Sequence, residues 1–212
     1  MGAEHLRPTM RLPALFALGV LVALTPIAPA RADEGDVLVQ AGHEGRPQSC
    51  AVYHVQACRL GAAAGRFREL DWTPIVADEA TRVLRAAGYT VLRRPADWDG
   101  GDSVRAAVFI HFDGATPTCT SGASVGFPET TSRAFIDAWE RRYLAWFPFR
   151  FRGENFTENE HRYYGFRKVD APEKLLVEMG ELSCPEQRVW METRLRAMGD
   201  QIAAFLEERV LK

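Results

Sequence analysis

Three observations predict a three-layer α/β/α domain with a mostly parallel, twisted sheet. Short runs rich in Val, Ile and Leu recur along the chain: Val37-Leu-Val-Gln40, Tyr89-Thr-Val-Leu92, Ala107-Val-Phe-Ile-His111 and Leu175-Leu-Val-Glu178. Runs of this length read as strands covered on both faces. Between the first two lies a helical pattern, which gives the strand, helix, strand order of a parallel sheet. The 212 residues, 47% hydrophobic and 25% charged, fit one globular domain. No internal repeat, low-complexity linker or second domain is legible.

The first 32 residues stand apart. Arg7 and Arg11 precede an apolar stretch from Leu12 to about Ile27, which ends in Ala28-Pro-Ala30-Arg-Ala32. That is the pattern of a secretory signal peptide, and Pro13 and Pro26 bracket a stretch too short to span a membrane comfortably. The expected domains are therefore a signal peptide at 1–32 and a catalytic domain at 33–212, exported to the periplasm or beyond, with no stable membrane span after cleavage. Removing Glu4, Arg7, Arg11 and Arg31 moves the formal charge from −2 to −4. No polybasic tract remains, which argues against nucleic acid as a partner. Export places Cys50, Cys58, Cys119 and Cys184 where disulfides persist. Of the three possible pairings, Cys50–Cys58 and Cys119–Cys184 is preferred, since the first two are close in sequence and the other two each follow a strand end. A structural zinc site lacks any C-x-x-C pair.

Each later element has its own signal. Glu44 to Arg68, broken by Gly45, Pro47, Gly61 and Gly65, reads as a long loop bordering an active site. Trp72, Ile75, Val76, Ala80, Val83, Leu84 and Ala87 recur at helical spacing, with Pro74 in the first turn and Gly88 as the stop. Glu69 stands at the head of that helix. A Thr/Cys/Ser loop after His111 leads to the alternating run Ala123-Ser-Val-Gly-Phe127. Ser132 is placed to cap a helix running to about Trp146, with Phe135, Ala138, Trp139, Arg142 and Tyr143 setting the period. Residues 147–167 read as irregular and aromatic. The last helix is expected from about Pro185 to Leu211, with Val189, Trp190, Leu195, Met198, Ile202, Phe205 and Leu206 on one face.

Side chains at the carboxyl ends of parallel strands converge on one crevice although distant in sequence. His43, His111 and Glu178 stand at such ends. Two imidazoles and a carboxylate, His43, His111 and Glu69, make the donor set of a catalytic zinc with one position left open. Amide hydrolysis also needs a base to move a proton from water to the leaving nitrogen, and Glu178 is placed for it. Plainer roles exist for three of these residues: His43 as a turn histidine, His111 as a cap on backbone groups, Glu69 as a partner of the helix dipole. Glu178 is harder to explain structurally, because a carboxylate following Leu-Leu-Val is costly unless paired or coordinated. Gly122-Ala-Ser124-Val-Gly126 matches a G-x-S-x-G nucleophile elbow with His161 downstream, but a polar segment precedes it and Phe127-Pro128 follows, where a strand and a helix are required. His161 itself reads as a surface loop residue.

Taken in order, the motifs resemble the type-3 family of zinc-dependent N-acetylmuramoyl-L-alanine amidases over almost the whole mature chain. Val39-Gln-Ala-Gly-His43-Glu-Gly45 is similar to the family's first strand and Gly-His-x-Gly motif, and Arg68-Glu69-Leu-Asp-Trp72 to its Glu-headed helix. Phe109-Ile-His111-Phe-Asp-Gly-Ala resembles the second histidine motif, Ser121-Gly-Ala-Ser-Val-Gly-Phe127 the glycine-rich strand, and Leu176-Val-Glu178-Met-Gly-Glu-Leu-Ser the closing motif with the catalytic glutamate. Gln40 stands where an acidic residue is common, Glu181 where an aromatic is common, and the segment between His43 and Glu69 is longer and carries two cysteines. The resemblance implies one Zn²⁺ on His43, Glu69 and His111, Glu178 as the catalytic residue, and cleavage of the amide between N-acetylmuramic acid and L-alanine in peptidoglycan. It also makes Arg167 a candidate for gripping the carboxylates of the substrate's peptide. A zinc peptidase acting on another peptide and a non-catalytic cell-wall module are the rival readings. No protein regulator is legible.

Overall fold

The computed structural model describes residues 33–46 and 61–212. The expected signal peptide and the expected Cys50–Cys58 link lie outside the described residues.

Six strands form the central sheet: β1 Val37–Ala41, β2 Val91–Arg94, β3 Ala106–Asp113, β4 Ala123–Gly126, β5 Phe151–Glu154 and β6 Glu173–Glu181. Their order is β2-β1-β3-β6-β4-β5, and every pairing is parallel except that of β6 with β4. All five residues of β1 are buried, as a central strand covered on both faces requires.

The two faces of the sheet are covered differently. Val37, Val39 and Ala41 of β1, Val108, Ile110 and Phe112 of β3, and Leu175, Val177 and Met179 of β6 share the larger core cluster. Helices α1 Glu69–Ala86, α2 Arg133–Leu144, α4 Pro185–Glu192 and α5 Leu195–Leu206 contribute Trp72, Phe135, Trp139, Met191 and Phe205 to that cluster. The alternate residues Leu38, Ala107, Phe109 and Leu176 pack instead with Trp98, Tyr163, Phe166 and Val169. That second layer is thin, carrying a one-turn helix, α3 Glu158–His161, and a 3₁₀ turn over Tyr164–Arg167. Three layers are present as expected, with the heavy helical layer on one side only.

Local chemistry sets the element ends. Ser132 accepts a hydrogen bond from the Phe135 amide and caps α2 as expected. Gly88, at φ 94°, takes the left-handed conformation that ends α1. Tyr89 is still tied back to Leu84 and Thr90 donates to Asp36, so β2 begins at Val91 opposite Val37, two residues later than the apolar run suggests. His111 and Glu178 lie within their strands rather than at the ends, and they are register partners. Residues 147–167 hold β5, α3 and the 3₁₀ turn; β5, Phe-Arg-Gly-Glu, is an edge strand and so lacks an apolar period. The expected last helix is two, broken at Thr193 and Arg194, where Arg194 leaves helical geometry at φ −128°. A stripe read across that break misplaces Val189, which is 65% exposed. The expected Cys119–Cys184 disulfide is present and ties the loop after β3 to the head of α4.

Helices α1 and α5 cross closely at Gly199, where an added Cβ would stand 2.6 Å from the Val76 carbonyl oxygen and 2.9 Å from the Ala80 nitrogen. Backbone cannot yield as a side-chain end can, so Gly199→Ala should lower stability by about 1–3 kcal/mol. A denaturant midpoint unchanged by Gly199→Ala would show that the helices do not meet in this way.

Candidate metal centre

The thin face of the sheet carries the candidate residues. Gln40 of β1, His111 of β3 and Glu178 of β6 have the strand parity of Leu38, Phe109 and Leu176, and so project into the lightly covered layer. A cavity of about 640 Å³ opens there, lined by His43, His111 and Glu178 together with Asp113, Glu160 and Tyr163. The site therefore sits on a face of the sheet near its carboxyl end, not in a crevice beyond the strand ends.

His43 leaves β1 two residues after its last strand position and adopts φ 61°, a left-handed turn geometry. Gly42 makes that turn possible, because a Cβ there would lie 2.5 Å from both His111 Cε1 and the Ile110 carbonyl oxygen. The Thr73 hydroxyl donates to the Gly42 carbonyl at 2.5 Å and ties the turn to α1. Glu69, the first residue of α1, is buried at 2% exposure. Its Oε2 accepts from the Ala62 amide at 2.7 Å, and its Oε1 accepts from the Phe112 amide at 3.0 Å. The same Oε1 lies 2.8 Å from His111 Nδ1 and 3.3 Å from His43 Nε2. One ligand atom from each of His43, Glu69 and His111 falls within 4.8 Å of the others. The two imidazole rings meet edge to face at 5.0 Å.

The protonation states suit a cation. Burial works to raise the Glu69 pKa, but hydrogen bonds and charge from His111 and His43 outweigh it and hold the carboxylate well below its ordinary value. Burial also pushes His111 down, towards the neutral form. A zinc site requires an anionic carboxylate and neutral imidazoles, so a bound cation would take over the positive charge that the histidines otherwise bring to Glu69.

Glu178 is the opposite case. Its Oε2 is enclosed and has no hydrogen-bond partner among the described residues. Burial, with the negative charges of Glu69, Asp113 and Glu160, pushes its pKa well above the ordinary carboxylate value. Three residues on, past a register shift between Glu178 and Glu181, the fully buried Glu181 accepts from the Cys119 amide at 2.6 Å, the Ser121 amide at 2.7 Å and the Ser183 hydroxyl at 2.6 Å.

Other expectations fall elsewhere. Arg167 is exposed, contacts the Arg162 carbonyl at 3.5 Å and does not line the cavity; Arg46 and Arg162 do. Ser124 lies inside β4 with its hydroxyl 2.7 Å from Glu160 Oε1, not on an exposed elbow. His161 ends α3 and does not line the cavity. Sequence reasoning passed over Tyr163, whose hydroxyl is 3.1 Å from His111 Nε2, and the fully buried Gln40 beside it. The signal for Gln40 was available: a polar residue in a run covered on both faces needs a partner.

No family model matches the chain, and no curated protein matches it in sequence. Solved structures do resemble it. N-acetylmuramoyl-L-alanine amidase AmiC2 of Nostoc punctiforme superposes with a TM-score of 0.62 at 18% identity, over 83% of this chain and 97% of that one. The catalytic domain of CwlV, an N-acetylmuramoyl-L-alanine amidase from Bacillus (Paenibacillus) polymyxa var. colistinus, gives 0.63 at 16% identity, over 83% and 97%. Cwp6 from Clostridium difficile gives 0.62 at 21% identity over 86% of this chain, which spans 30% of the length of Cwp6. The chain thus has the three-layer fold seen in solved N-acetylmuramoyl-L-alanine amidases.

Proposed function

We propose that this chain hydrolyses the amide between N-acetylmuramic acid and L-alanine in peptidoglycan, with one Zn²⁺ held by His43, Glu69 and His111. The observation that carries the reading is the pairing of a three-residue donor cluster with a buried carboxylate oxygen that has no partner, both on one cavity. AmiC2 and CwlV, which share the fold, are N-acetylmuramoyl-L-alanine amidases and supply the substrate class. Bound zinc supplies Lewis-acid polarisation of the scissile carbonyl and acidifies water. Glu178, adjacent to His111 across the β3–β6 pairing, takes the proton of the attacking water and passes it to the leaving nitrogen. Arg46 and Arg162 line the cavity and are better placed than Arg167 to hold a substrate carboxylate. A non-catalytic module would have no use for an ionisable group buried without a partner, so Glu178 speaks against that reading. A zinc peptidase would share the site and differ in its products.

Digestion of purified peptidoglycan tests the reaction: a free lactyl carboxylate on muramic acid with a free L-alanine amine is expected, and any other pair of chain ends would point to the peptidase. The metal assignment predicts about one zinc per chain and loss of turnover with a strong chelator. His111→Ala should lower zinc content and turnover together, because it leaves an incomplete cage. Full activity in a demonstrably metal-free preparation ends that assignment.

Glu178→Gln separates chemistry from architecture. A raised pKa means that the folded chain holds this proton more tightly than the unfolded chain, so ionisation costs stability as pH rises above the ordinary carboxylate value. The neutral variant escapes this cost. At neutral pH the metal-free variant should melt at or above the parent temperature and the loaded one should retain zinc, while turnover falls by about a hundredfold or more. A variant that folds, binds zinc and hydrolyses at the parent rate removes Glu178 from the mechanism.

Export is proposed on the same reading, with a mature chain beginning near Asp33 and a Cys50–Cys58 link beside Cys119–Cys184. Non-reducing mass spectrometry of the exported protein checks both, and a Cys50-to-Cys119 crosslink would refute the pairing.

A further inference from the structure

A buried polar chain runs beneath the thin layer to the donor cluster, and two main-chain carbonyls set its direction. Carbonyl oxygens only accept. Gln40 Nε2 lies 3.4 Å from the Pro95 oxygen and 3.0 Å from Tyr164 Oη, and Tyr164 in turn donates to the Ala96 oxygen at 2.5 Å. With the amide nitrogen held on that side, Gln40 Oε1 faces Tyr163, whose hydroxyl donates to it at 2.8 Å. The single proton of Tyr163 is then committed. Its oxygen, 3.1 Å from His111 Nε2, is left only to accept. Nε2 must therefore carry the imidazole proton, and the lone pair of Nδ1 faces Glu69 Oε1 at 2.8 Å.

Two acceptors facing each other at that distance repel unless a cation lies between them. The chain of hydrogen bonds therefore makes the cluster a place for positive charge, which a divalent cation supplies when His111 is neutral. The metal ligand's outer nitrogen is ordinarily held by a carboxylate, a carbonyl or water. Here a phenol holds it, backed by a neutral amide.

We propose that Tyr163 and Gln40 are positioning residues that fix His111 in the tautomer protonated at Nε2 and so present Nδ1 to a divalent cation. Tyr163 acts through His111, and Gln40 acts through Tyr163. Both roles rest on the zinc reading above. Packing supports the same geometry, since the Tyr163 ring meets His111 at 5.1 Å and Phe109 at 5.2 Å, which fixes the ring and hence its hydroxyl.

The test is a zinc-affinity cycle on the full chain, by competition with a chromogenic chelator, with melting of the metal-free proteins read in parallel. Tyr163→Phe keeps the ring and removes the hydroxyl, and it should weaken zinc binding about 10–100-fold. Gln40→Leu should weaken it as well. Added to Tyr163→Phe, however, Gln40→Leu should change affinity little further, because the group it acts through is gone. Variants that lose melting temperature yet hold zinc as the parent does would show a structural role only and overturn the proposal. Losses that simply add would also overturn it, by showing that Gln40 does not act through Tyr163. A parent chain that binds no zinc brings down the metal reading and this proposal together. A parent that binds zinc while Tyr163→Phe binds it equally well leaves the metal reading standing and removes this one.

Discussion

The buried Glu69 carboxylate is the constraint on which the site depends. Four groups from three segments meet on its two oxygens: the Ala62 amide before α1, the Phe112 amide and the His111 ring of β3, and His43 in the turn after β1. A carboxylate so deeply enclosed survives as an anion only where the two amides, with positive charge at the imidazoles or a cation between them, replace the water it has lost. The dependence runs both ways. The amides position the carboxylate, and the carboxylate draws the imidazoles of His43 and His111 to one point.

Asymmetric covering of the sheet explains why that point opens onto a cavity. On one face, long helices bury large side chains such as Trp72, Phe112 and Phe205. On the other face, among the described residues, short segments lie over β1, β3 and β6, and the cavity opens beside them. The strand period of two then sorts residues by role. Val39, Ile110 and Val177 serve the core, while Gln40, His111 and Glu178, one step along each strand, serve the cavity.

That sorting also accounts for what the sequence disclosed. The donor set and Glu178 were legible because ionisable residues interrupt or follow apolar runs, where burial needs a reason. Strands β1 and β3 and helices α1 and α2 were legible from their periods and from Ser132 and Gly88. A run of aromatic and basic residues does not reveal which side chains face inward: Arg167 is exposed, and Arg162, five residues earlier, lines the cavity. β5 was missed since an edge strand carries no apolar period. The break in the last helix was missed since Thr193 and Arg194 contain no glycine or proline to mark it. The role of Tyr163 is tertiary in origin, as it meets Gln40 across 123 residues, and no local pattern encodes such a meeting.

Glu178 and Glu181 show how structural and chemical carboxylates are told apart. Both sit on β6, and both reach a polar layer, because the register shift between them re-aims the second to lie beside Asp113. Glu181 accepts two backbone amides and a hydroxyl, an arrangement that organises the loop carrying Cys119 and leaves no oxygen without a donor. Such a group is explained by the architecture it holds. Glu178 organises nothing: its Oε2 is enclosed, unbonded and surrounded by other negative charges, so the fold is less stable for containing it. A residue that opposes folding and faces a cavity beside a donor cluster is what the proposed proton-transfer role rests on. The sequence motif singles out Glu178, and this imbalance is the independent physical ground for the same choice.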